Sequence, residues 1–252
     1  MVLLLYQFNF RVKDIIMSKK VLIVVANPST HPTLNYPVGF WASELFHPIE
    51  QFDLKGLEWE ITSPEGGEVL LDPMSNPNDP SGYSSWDELS KKYVEDPEFM
   101  SQLKSTPAIG SLDLNAYDAI LVAGGQSPMF TFEEAVDLQK AVLYFYNNKK
   151  IVAALCHGVA VLNFVKDEQG RYIVRGRKVT GFTNEEEDQA DAQMKTQVMP
   201  WRIEDELNKK GAHFHKSAAW EPFAMVDDLL ITGQQNMSGE VTAKKVIELL
   251  KG

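Results

Sequence analysis

The chain has 252 residues, 44% of them hydrophobic and 23% charged, the balance of a globular protein and not of a disordered or fibrous one. That length suffices for one large α/β domain with a substantial core. A formal net charge of -11 opposes an extended phosphate-binding surface, because most of the molecular field repels nucleic acid.

The first stretch, MVLLLYQFNFRVKDII, precedes Met17 and reads as an N-terminal extension (1–16) that packs on the domain or on a partner. Its apolar run is too short to span a membrane, and it lacks a basic leading segment and a small-residue cleavage site. No membrane partner is expected. Residues 17–252 then read as a single domain.

Short β-rich runs follow at 21–26, 57–63, 119–125, 151–155, 213–217 and 229–233. Helical patterns separate them: one at 37–52 after the first run, one at 131–148, and a terminal one at 238–252. This alternation predicts an α/β fold in which a mostly parallel sheet is sandwiched by helices, with ligands outside the carboxyl ends of the strands. Between the second and third runs lies an insertion at about 64–113, rich in Pro, Asn, Asp and Ser, expected to form a lid or cap beside those ends.

The single cysteine, Cys156, sits where the run 151–155 meets a helix-like segment. A nucleophile on a sharp strand-to-helix turn needs small residues two before and two after it. Ala154 and Gly158 occupy those positions, so A-L-C-H-G meets the steric rule of a nucleophile elbow. A helix N-terminus would also favour the thiolate, which predicts a partly accessible thiol with a lowered pKa. An ordinary buried core cysteine would produce the same local pattern. One cysteine can form no internal disulfide, which fits a reducing cytosol.

Three other places bear on that corner. Glu44 shares a helical face with Phe40, Trp41, His47 and Pro48, where desolvation would raise its pKa and suit it to proton exchange. Gly124 and Gly125 end the third run, and the Gly125 N–H could form an oxyanion hole with the His157 N–H. The cluster NEEEDQAD after Thr183 reads as the capped first turn of a helix, one of whose acids could orient His157. The five histidines show no metal-ligand spacing, HFH at 213–215 reads as strand surface, and no dinucleotide or phosphate-loop pattern occurs, so no metal or cofactor is expected.

With ALCHG, KVTGFTNEEE, ASELFHP, SPEGGEVLLDPMS, MPWRIEDELNKKGA and LLITGQQNMS on the page, the chain resembles the ThiJ/PfpI superfamily, in its glutathione-independent glyoxalase III and heat-shock chaperone branch. The resemblance runs from about residue 21 to the C-terminus. It implies a flavodoxin-like, class I glutamine amidotransferase-like fold, a homodimer in the cytoplasm, and a cofactorless cysteine enzyme that converts methylglyoxal to lactate. Carried over by position, it implies Cys156 as nucleophile with His157 beside it, Glu44 against the thiol, and Gly124 and Gln126 in the substrate pocket. The offset from T-G-F-T selects Glu187 as the acid completing the triad; Glu185, Glu186 or Asp188 would serve if the loop is shifted. One departure is that the branch has Gly-His-Gly after the third strand where this chain has GGQSPMF, so Gln126 replaces an imidazole. The alternatives are a small amidase or peptidase working through a thioester, and a stress chaperone or redox sensor.

Overall fold

Val21 to Val24 carries no polar residue on either face, which suits a strand covered on both sides. In the computed structural model, which describes residues 19–251, this run is β1 (Lys20–Val24) and all four valine, leucine and isoleucine positions are fully buried. The extension at 1–16 lies outside the described residues.

A small ribbon, β2 (Ser29–Thr30) and β3 (Pro37–Val38), leads into α1 (Ala42–Leu54) and β4 (Glu58–Thr62). The insertion carries α2 (Glu88–Val94) and α3 (Pro97–Gln102). Then come β5 (Ala119–Val122), α4 (Pro128–Thr131), α5 (Val136–Asn147) and β6 (Ile151–Leu155). The last third holds β7 (Lys178–Val179), α6 (Asn184–Met194), α7 (Ile203–Lys209), β8 (His213–Phe214), β9 (Ala224–Asp227), β10 (Leu230–Gly233) and α8 (Gly239–Lys251).

The main sheet has the order β4-β1-β5-β6-β10-β9. Its pairings are parallel except for β9 against β10, which is an antiparallel edge. Successive side chains of a strand face opposite ways. Leu22, Val24, Ile120, Val122, Val152 and Ala154 join a core with α5 and α7, and Val21, Ile23, Leu121, Ala153, Leu155 and Ile231 join another with α1 and α8. The sheet is therefore sandwiched by helices. The insertion is clipped to α1 by aromatic contacts, with Phe46 stacked on Tyr93 at 5.1 Å and Phe99 edge-on to Tyr93 at 4.9 Å. Among the described residues, no helix is long and apolar enough to cross a membrane.

Three local readings need correction. The run at 213–217 supplies β8, which pairs in parallel with β7 outside the main sheet. The edge beyond β10 is taken instead by β9, whose residues are all half-buried and so carry no clear alternation. The helix anticipated from 131 begins at Val136, because Ala135 leaves helical geometry at ψ 62° while fully buried Phe132 pins the link to α4.

Candidate active site

At the carboxyl end of β6 the chain turns sharply at Cys156, whose φ of 54° lies in the left-handed region. For a residue other than glycine this costs on the order of 1–3 kcal/mol. The flanking small residues explain how the turn fits: a Cβ on Gly158 would lie 2.5 Å from the Val122 carbonyl oxygen. The segment that follows, Cys156–Asn163, is a 3-10 helix and fully buried. The run is mostly apolar and packs between β6 and α7, and the α-helix anticipated there does not form.

The thiol also differs from expectation. Cys156 is only 3% exposed, and burial pushes its pKa well above the ordinary thiol value, with the neighbouring Glu44 charge adding to the rise and the His157 N–H opposing it. Desolvation and a like charge outweigh whatever the short helix contributes. Activation must therefore come from proton acceptors beside the sulfur.

Two lie there. Cys156 Sγ is 3.6 Å from His157 Nδ1, and His157 Nε2 donates to Glu187 Oε1 at 3.0 Å, which leaves Nδ1 free to accept the thiol proton. Glu187 belongs to the first turn of α6, whose N-cap Thr183 forms a capping box with Glu186. Of the four acids left open by the sequence, Glu187 meets the imidazole. Asp188 points outward to Arg202 at 3.0 Å, and Glu185 is exposed.

Glu44, in the first turn of α1, stands on the other side. It is fully buried. Its Oε2 accepts the Gly124 N–H at 2.7 Å, and the Trp41 N–H donates to the Gly124 carbonyl at 3.1 Å, so β5 and α1 are clasped end to end. Oε1 has no partner of regular hydrogen-bond geometry, although the adjoining Cys156 thiol interacts with this carboxyl closely enough to favour its ionised form. Burial raises the Glu44 pKa to about 8, with the Asp72 charge adding a smaller push.

Gly125 has φ 111°, and a Cβ there would lie 2.5 Å from the Gly39 carbonyl oxygen, so only glycine fits. A Cβ on Gly124 would lie 2.8 Å from the His157 nitrogen; the two glycines and the elbow thus share one corner. Gln126 is buried and accepts from the Tyr36 hydroxyl at 2.6 Å. Behind it lies Asp72, fully buried, accepting the Met74 N–H at 3.2 Å and leaving Oδ2 without a regular partner. Burial lifts its pKa to about 7 against the pull of nearby N–H groups, including those of Gln126.

Asp72 and Tyr36 were missed by sequence reading. Their only signals were the DPMS turn within SPEGGEVLLDPMS and an isolated tyrosine. Trp220 was also unread, and Glu186, read in the sequence only as an alternative triad acid, has a different part. Glu186 accepts from the Thr183 N–H, the Thr183 hydroxyl, the Trp220 N–H and Gln234 Nε2, all within 3.0 Å. It thereby fixes Trp220 at φ 64°, edge-on to Phe182, which stacks on His157 at 4.3 Å.

Cys156, His157, Glu187 and Gln126 open into a cleft of about 650 Å³, mouth included, with Trp41, Tyr83 and Trp220 on its outer side. Met74 and Tyr83 come from the insertion. Gly124, Gly125 and Glu44 are not in its lining and act from behind.

Comparison with known proteins gives a consistent relationship. Residues 38–249 match the DJ-1/PfpI family. Glyoxalase 3 of Candida albicans is 29% identical over 92% of this chain and 98% of its own length, and the glutathione-independent glyoxalase HSP31 of Saccharomyces cerevisiae is 29% identical over 84% and 90%. The solved Rapid Encystment Protein (24 kDa) of Francisella tularensis superposes with a TM-score of 0.82 at 31% identity, covering 92% of this chain and 99% of that one. The chain belongs to the DJ-1/PfpI family.

Proposed function

We propose that this protein is a glutathione-independent glyoxalase that converts 2-oxoaldehydes, methylglyoxal among them, to 2-hydroxy acids with Cys156 as nucleophile. The carrying observation is the thiol held between the buried Glu44 carboxyl and the His157–Glu187 pair. The glyoxalase names of relatives that span nearly the whole chain support the reading.

Sγ adds to the aldehyde carbon as the thiol proton passes to His157 Nδ1, whose positive charge Glu187 stabilises. The Gly125 and His157 N–H groups receive the oxyanion, which then takes the proton to give a hemithioacetal. Glu44 removes the proton on the sulfur-bearing carbon to give an enediolate, the hydroxyl proton passes from the first oxygen to the second, and Glu44 returns its proton to the neighbouring carbon as the first oxygen becomes a carbonyl. The product is the thioester of a 2-hydroxy acid. Water attacks that carbonyl, the carbon–sulfur bond breaks, and the sulfur recovers its proton.

We place the active protein in a reducing compartment as a homodimer, with the insertion as a cap over the cleft. The decisive test is lactate formation from methylglyoxal with glutathione withheld. Wild type should form lactate and Cys156→Ser should form none, because a hydroxyl is far harder to ionise in this buried site; equal rates would overturn the assignment.

A further inference from the structure

The inner end of the cleft is where a reacting carbon must lie to reach Sγ, so the rest of a substrate extends outward between Phe182, Trp41, Tyr83, Trp220 and Met194. The enclosed part of the cleft, about 80 Å³, has room for roughly five waters, and beyond it the cleft opens to solvent along this wall. A three-carbon substrate fills the inner part and leaves the outer rings beside the mouth for a larger group to cover. The wall is also preformed: the Trp220 indole N–H donates to Gln189 at 2.6 Å, its backbone N–H to Glu186 at 2.9 Å, and Trp41 packs edge-on to Tyr83 at 6.1 Å. Rigid aromatic surface rewards a ligand that fills it, since little ordering cost remains.

Charge points the same way. No lysine or arginine of the described residues lines the cleft. Arg202, which packs along α6, is taken up by Asp188 at 3.0 Å and Asp191 at 2.8 Å. Glu187 lines the cleft and Glu44 lies behind it, so a carboxylate or phosphate on the substrate would meet carboxyl groups and no cation.

We infer that the preferred substrates are uncharged 2-oxoaldehydes whose ketone carbon bears a bulky apolar group, branched alkyl or aryl; this rests on the glyoxalase reading above. The same wall explains release, because the 2-hydroxy carboxylate formed finds no counter-charge to hold it.

The test is a series of alkylglyoxals from methyl through isobutyl to cyclohexyl, in which carbonyl reactivity stays nearly constant while apolar bulk grows. We expect kcat/KM to rise about tenfold or more along the series, about 1.4 kcal/mol per tenfold, mainly through KM. Ala190→Phe, which fills the cleft from the side of α6, should cut the cyclohexyl-to-methyl ratio about tenfold. Glyoxylate, the anionic 2-oxoaldehyde, should be turned over far more slowly than glyoxal. A flat or falling series with methylglyoxal still converted, or glyoxylate converted as well as glyoxal, would overturn the inference and leave the glyoxalase reading standing. No 2-hydroxy acid from any member would overturn both.

Discussion

The cleft has two walls built in different ways. The inner wall and the groups directly behind it come from strand ends and the first turns of helices: Cys156 after β6 and Glu187 at the start of α6 at the surface, with Gly124 and Gly125 after β5 and Glu44 at the start of α1 behind them. The outer wall comes from loops, the insertion and the outer turns of α6, and carries aromatic rings and methionines. On the inner wall atoms are held to within a hydrogen bond of one another, and a misplacement of an ångström would stop the chemistry. On the outer wall contacts are dispersive and tolerate repacking. Chemistry and selectivity are thus carried by separable parts of one site.

Substitutions can break that separation, and the largest effect should come from the inner wall. Glu44→Gln keeps the shape but removes the base, and kcat should fall by about a thousandfold, within the range general-base catalysis supplies. Matched circular dichroism spectra would show the fold intact. A loss below about tenfold would move the proton transfer to another group.

The pH profile sharpens the same point. With the Glu44 pKa raised to about 8, the carboxyl and thiol together hold both protons in mildly acidic solution, and Glu44 is not available to take the carbon-bound proton. Activity should therefore rise with pH through about 8, as the pair loses its first proton, whichever of the two groups is drawn as charged. Glu44→Gln should lack this inflection. A wild-type profile flat from about pH 6 to 9 would contradict the assignment.

Next in size is a stability effect behind the inner wall. Burial raises the Asp72 pKa from 3.8 to about 7, so the folded state binds the proton more tightly than the unfolded one. Its contribution is fully present in acid and is lost as pH rises through about 7, opposite to a salt-bridged carboxylate. Asp72→Asn should therefore gain on wild type, by on the order of a few kcal/mol, between about pH 4 and pH 8. Melting temperatures across that range would show it; a gap independent of pH would mean that the carboxyl titrates normally.

The smallest effect belongs to the outer wall. Trp220→Ala should raise KM for cyclohexylglyoxal several-fold while kcat stays within about twofold, the signature of lost uniform binding. A fall in kcat matching that of Glu44→Gln would show that the two walls are not separable.

The inner wall was also the more legible in sequence. Strand-end glycines, an elbow bracketed by Ala154 and Gly158, and a capped acidic turn at Thr183 are local rules that leave local signatures. The outer wall and Asp72 depend on where long aperiodic segments fold back, and no spacing encodes that. Thiol burial was misread for a related reason: a helix N-terminus is visible in sequence, but the carboxyl of Glu44 and the closure of the corner are tertiary. The antiparallel edge β9 escaped notice because its half-buried residues show no alternation.

The place of β10 in the sheet has a consequence for biosynthesis. It enters between β6 and β9, pairing Leu230–Gly233 with Val152–Leu155, and Asn236 then accepts from the Ser43 hydroxyl on α1. While the chain is being made, β6 presents a bare strand edge, with the cysteine at its tip, until the segment that carries β10, about 75 residues further on, has left the ribosome. Pairings between segments so distant in the chain form slowly, and open parallel edges invite association with other chains. The nascent protein therefore passes through a sticky, catalytically silent stage that ends only when β10 and α8 arrive.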